Sequence, residues 1–125
     1  MNDKTIEQEI QSKGLTAPRV TPADIEAEVL SEVYFTAKEG VWGAHPGFDP
    51  LPEAAPVLAQ LTFCVLVLRN GFTVTGESAC ASPENFDAEI GRKIARQNAV
   101  QKIWPLLGFR LRDELTALPD HPGLG

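Results

Sequence analysis

The sequence predicts an α/β fold of the α+β kind: an antiparallel β-hairpin sheet packed on helices, in one oligomeric domain. Three observations carry this. Leu61–Arg69 and Phe72–Cys80 are apolar, β-branched runs separated by Asn70-Gly71, a pair that favours tight hairpin turns. Ser82-Pro83 then reads as a helix start, followed by Phe86, Ile90, Ile94 and Trp104 on one helical stripe. At 125 residues and 43% apolar content the chain can bury a single core of ordinary size.

In chain order, residues 1–40 read as N-terminal helices. Residues 2–13 suit a short helix, with Ile6 and Ile10 at i and i+4 and a stop at Gly14. Leu15–Val20 reads as extended. Thr21-Pro22-Ala23-Asp24 is a capped start for a helix running to Lys38, with Ile25, Val29, Leu30, Val33 and Ala37 inward. Glu26, Glu28 and Glu32 then face water, and Gly40 ends the helix. Residues 41–60 are rich in Pro and Gly and read as a loop whose Trp42 and Phe48 fold back over a surface.

Residues 61–80 form the hairpin. A two-residue type I′ turn fixes its register, which puts Phe63, Val65, Val67, Phe72 and Val74 on a core face. Cys64, Leu66 and Leu68 join Thr73, Thr75 and Glu77 on a half-apolar face suited to another helix or another subunit. Residues 83–118 are helical, with Pro105 as a break. Along this helix Gly91, Ala95 and Ala99 make a ridge of small side chains that admits a close neighbour. The Pro119–Gly125 tail reads as loose.

The net charge of −6 is unevenly spread. The first 60 residues hold 10 acidic and 4 basic side chains. Ile90–Arg112 holds Arg92, Lys93, Arg96, Lys102, Arg110 and Arg112 with no carboxylate at all. An acidic protein with one basic window is no binder of long nucleic acid, but it can hold a small anion. The bland alternative is that these cations pair with Glu89 and with the acidic first half. No run is apolar enough for a membrane span, and no signal sequence opens the chain, so a cytoplasmic protein is expected.

Catalytic constellations are missing. His45 and His121 lack neighbours at metal-ligand spacing, the two cysteines form no CxxC pair, and there is neither a phosphate loop nor a nucleophile elbow. A non-enzymatic binder without metal or cofactor is therefore expected. Asn85 and Phe86 offer an amide and a stackable ring at the start of the helix, beside its free N–H groups. Arg92 and Arg96 continue that face, and Arg110 and Arg112 follow. Aromatic ring, amide and guanidinium are what a phosphorylated nucleotide needs, provided Arg92, Arg96 and Arg110 gather in one cleft. Taken singly, Phe86 also suits a core and Asn85 a helix cap.

Thr16–Glu26, Asn70–Ala79, Pro83–Lys93 and Ile103–Leu106 together resemble the gp-forty-nine-like family of small tailed-phage and prophage proteins. That family is similar to the type-one Thoeris anti-defence proteins. The resemblance implies a sponge that binds a cyclic ADP-ribose isomer or a cyclic oligonucleotide without cleaving it, in the cytoplasm of an infected or lysogenic host. It implies a homodimer or higher oligomer, up to a hexamer, with ligand sites shared between subunits. The motif residues carried over are Phe72, Asn85, Phe86, Arg92 and Arg96, with Arg110 as a looser candidate. The alternative is a phage accessory protein that binds a host protein through an apolar sheet face.

Overall fold

A computed structural model describes residues 2–47 and 55–119. Its elements are α1 (Asp3–Ser12), α2 (Pro22–Glu28), β1 (Val29–Thr36), α3 (Ala37–Ala44) and α4 (Ala55–Ala59). Then come β2 (Leu61–Leu68), β3 (Thr73–Ala79), a 3-10 turn at Pro83–Asn85, α5 (Ala88–Gln101) and α6 (Ile103–Ala117). The fold is α+β, built on a three-stranded antiparallel sheet in the order β1-β2-β3. The chain divides into two compact units, residues 29–102 and residues 1–28 with 103–125.

In the second unit α1 is capped by Asn2, whose side chain accepts from Thr5 N, and the chain leaves it through Gly14 at φ +69°. Arg19 forks onto both carboxylate oxygens of Glu7, fastening the segment after α1 back to it. Trp104 Nε1 donates to Asp3 Oδ2 at 3.1 Å, which ties the start of α6 to α1. Ile25, Ile103 and Leu107 are buried.

Residues 21–38 are not one helix. The chain turns from α2 into β1 at Val29, because Val29, Val33, Tyr34, Phe35 and Thr36 are strand formers and β2 supplies an antiparallel partner strand. Spacing of i and i+4 suited a helix, yet tertiary pairing decides the outcome. Gly40 lies inside α3, which a Thr36–Glu39 capping box starts. Of the expected 41–60 loop, 41–44 belong to α3 and 55–59 to α4, while Phe48 lies outside the described residues. Trp42 is exposed on α3.

The hairpin is present, but its register is one residue off the expected one. Leu68 N donates to Phe72 O at 2.8 Å and Gly71 N to Leu68 O at 2.9 Å, so the loop is Arg69-Asn70-Gly71. Only Gly71 has positive φ, at +90°, whereas a type I′ turn would need it at Asn70 as well. The slip shifts β3 against β2, so that Val74 shares its face with Cys64, Leu66 and Leu68 instead of Phe63, Val65 and Val67. Cys64, Leu66, Leu68 and Val74 are the buried side, while Phe63, Val65 and Val67 are only half-buried. The expected core face is therefore the open one, shared with Val33 and Phe35, which are 48% and 36% exposed.

The buried face packs on α5 through the small ridge. A Cβ added at Gly76 would lie 2.2 Å from Ala95 O and 2.3 Å from Ala99 N, so β3 and the helix backbone touch. Gly91, Ala95 and Ala99 are buried for this reason, and the larger Ile90 and Ile94 turn outward. The helix begins at Ala88 under the Asp87 cap, with no side-chain cap from Ser82. The helical stretch is interrupted at Lys102, between α5 and α6, and Pro105 sits in the first turn of α6, where its missing N–H has no partner to lose.

Candidate functional site

Residues 36, 62 and 78 stand side by side on the three strands, a row of Thr36, Thr62 and Ser78 on the face toward α5. The first turn of α5 lies above that row and separates two clefts. One, of about 130 Å³, is lined by Tyr34, Phe35, Thr36, Glu39, Thr62, Ala88 and Arg92. The other, of about 120 Å³, is lined by Gln60, Ser78–Cys80, Asn85–Asp87, Ile90, Gly91 and Ile94. Each is well below the roughly 300–1,000 Å³ of an enclosed small-molecule pocket.

Of the expected site residues, the structure brings three to this turn. Asn85 and Phe86 line one cleft and Arg92 the other. They reach it differently from the expected helical face, since Asn85 and Phe86 precede α5 in the 3-10 turn and its exit. One of the first amides of the helix is already taken. Asp87 Oδ1 accepts from Ile90 N at 3.0 Å and brings its own negative charge.

The other three make different contacts. Phe72 is exposed beside the hairpin turn, six strand positions from Thr62 and so roughly 20 Å away. Arg96 Nε donates to Glu32 Oε2 at 2.6 Å. Arg110, in the other unit, donates to both oxygens of Glu28 at 2.8 and 3.2 Å. Of the three arginines expected in the cleft, Arg96 and Arg110 thus each hold a carboxylate. Glu28 itself is buried, not solvated as its helical spacing suggested. Arg92 is exposed and makes no ion pair among the described residues.

Charge in the sheet unit follows these contacts. The Arg96 guanidinium holds the Glu32 carboxyl below its usual range, against the opposing effect of partial burial, and the Tyr34 hydroxyl adds to it. Tyr34 donates to the same Glu32 oxygen at 3.1 Å. Burial first, and Glu32 second, push the phenol up to about 12. Burial likewise raises the Cys64 thiol, which lies opposite Tyr34. In the other unit, Glu28 raises Arg110 and Arg19 lowers Glu7.

Both cysteines are free thiols. Among the described residues no group of His, Cys, Asp and Glu is arranged to hold a metal ion. No described helix is long and apolar enough to cross a membrane. A wider groove between α1 and the start of α2, about 420 Å³, is lined by none of the expected site residues. Sequence reasoning missed Thr62, whose only signal was a hydroxyl ending an otherwise apolar strand face.

A family model described as phage protein (N4 Gp49/phage Sf6 gene 66) matches residues 20–115. No curated protein and no solved structure matches the chain.

Proposed function

The chain belongs to the phage protein (N4 Gp49/phage Sf6 gene 66) family, and on that footing we propose that it captures a small cyclic nucleotide immune signal without cleaving it. The signal is a cyclic ADP-ribose isomer or a cyclic oligonucleotide, and the protein works in the cytoplasm of the infected host. The observation that carries this reading is that Arg92, exposed and without an ion pair among the described residues, lies across one helical turn from Asn85 and Phe86. Arg92 supplies the charge for phosphate, the Phe86 ring a stacking surface and the Asn85 amide a hydrogen-bonding edge. Arg96 and Arg110 act by holding Glu32 and Glu28 in place. Because each cleft is small, a second copy of the chain completes the site, and the exposed Phe72 is available for that contact.

Titration calorimetry against TIR-derived cyclic ADP-ribose isomers and cyclic oligonucleotides tests the proposal. A sponge needs a nanomolar dissociation constant, roughly −12 kcal/mol. The ligand recovered after heat denaturation is expected intact; a cleaved product would make the protein an enzyme. Silence across the panel would sink the reading.

The open sheet face favours a second reading. Val33, Phe35, Phe63, Val65 and Val67 form one apolar surface, with the Phe35 and Phe63 rings stacked at 5.5 Å. That surface suits a host protein partner. Silent calorimetry, together with capture of one host protein that Phe35→Asp abolishes, is the outcome this reading expects.

A further inference from the structure

We infer that the cleft beside Arg92 is an oxyanion subsite in which the Thr62 hydroxyl is the second recognition group, binding one phosphate of a phosphodiester or pyrophosphate. This rests on the reading above and assigns the phosphate end of that same site.

Thr62 is 3% exposed, yet among the described residues its hydroxyl has no hydrogen-bond partner. Buried hydroxyls are nearly always paired, and an unpaired one that lines a cleft marks a place for a ligand atom. Its neighbour in the row is committed: Thr36 Oγ1 accepts from Glu39 N at 3.2 Å. Glu39, the other charged group lining the cleft, is turned to Thr36 N at 2.9 Å. The Tyr34 hydroxyl is given to Glu32.

The helix leaves room for this hydroxyl. Gly91 lies over Thr62, and a Cβ there would sit 3.1 Å from Oγ1. The next residue, Arg92, lines the same cleft with its charge uncompensated. One neutral donor and one guanidinium converge on a space of about 130 Å³, enough for a phosphate group and too small for a nucleoside. A base would go to the Asn85–Phe86 side of the turn.

The test uses calorimetry of the full chain with two probes, inorganic pyrophosphate and a cyclic ADP-ribose isomer, on wild type, Thr62→Val and Thr62→Ser. Thr62→Val is expected to weaken both probes roughly tenfold or more, and Thr62→Ser to keep most of the affinity. Because no described residue pairs with the hydroxyl, Thr62→Val is expected to leave the melting temperature unchanged or higher. Equal affinity of wild type and Thr62→Val for the cyclic nucleotide overturns the subsite while leaving the sponge reading intact. Pyrophosphate binding that Thr62→Val weakens, with no cyclic nucleotide bound, supports the subsite and sinks the sponge. Binding of neither probe by wild type, or a melting temperature lowered by Thr62→Val, overturns the subsite.

Discussion

Replacing Gly76 by alanine probes the contact on which the sheet unit is built. The added carbon would stand 2.2 Å from Ala95 O and 2.3 Å from Ala99 N, where ordinary contacts begin near 3.4 Å. Both obstacles are helix backbone, so no rotamer change relieves them. Strand β3 must instead lift from α5 by about 1 Å, which forfeits a quarter to a half of each dispersion contact in the gap. Cys64, Leu66, Val74, Ala95 and Ala99 line that gap. Overpacking of this kind costs about 1–3 kcal/mol, occasionally more, and the smaller entropy of the unfolded alanine chain returns only about 0.5–1. A net loss of about 1 kcal/mol is expected, which lowers the urea midpoint by about 0.5 M at a slope of about 2 kcal/mol/M. Adding Ala99→Gly does not rescue the variant, since it removes a methyl and leaves the backbone where it was. An unshifted midpoint, or rescue by Ala99→Gly, would refute the close approach.

Three further outcomes are expected. Tyr34 is the single tyrosine, so near-ultraviolet titration reads it alone: ionisation near pH 12 when folded, near 10 when unfolded, and lower again in Glu32→Gln. Its raised value means the associated stability is full below pH 10 and is lost as pH climbs toward 12, by at most about 2–3 kcal/mol. Glu32 behaves oppositely: its lowered value adds stability above its ordinary 4.5 that disappears as pH falls through the folded value. With both partners partly exposed, that contribution is about 0–1 kcal/mol, and acid titration of stability in Glu32→Gln shows the lost slope. Arg110→Ala removes a two-pronged guanidinium contact from Glu28, whose side chain is only 10% exposed, and lowers stability by about 1–2 kcal/mol in chemical denaturation, with partial recovery on adding Glu28→Gln.

Local signals read the fold well where they acted alone. Asn2 and Gly14 bound α1 as the sequence pattern suggests, and the small ridge at Gly91, Ala95 and Ala99 does admit a close neighbour. Reading failed where a distant partner decided. Val29–Thr36 has helical spacing and strand composition at once, and only the presence of β2 selects the strand. The Asn70-Gly71 pair suits two turns, and the three-residue one changes which side chains of β3 share a face with those of β2. Asp87 outcompetes Ser82 as cap because its carboxylate reaches Ile90 N. At the site, the arginines were legible as a basic window, but their partners were not. Glu32 and Glu28 lie 64 and 82 positions away in sequence, beyond any local pattern. Arg92, Asn85 and Phe86 line the two clefts beside the start of α5, and Thr62 lines the one with Arg92.

The most direct measurement is calorimetry of a cyclic ADP-ribose isomer on wild type and on Arg92→Ala, an exposed position whose loss leaves the core untouched. Sequestration predicts nanomolar binding by wild type. Removing one arginine from a phosphate pair should cost about 2–5 kcal/mol, or roughly 30- to 4,000-fold in affinity, at an unchanged melting temperature. Tight binding that Arg92→Ala leaves untouched would contradict the site, and no binding across the panel of cyclic nucleotides would contradict the function.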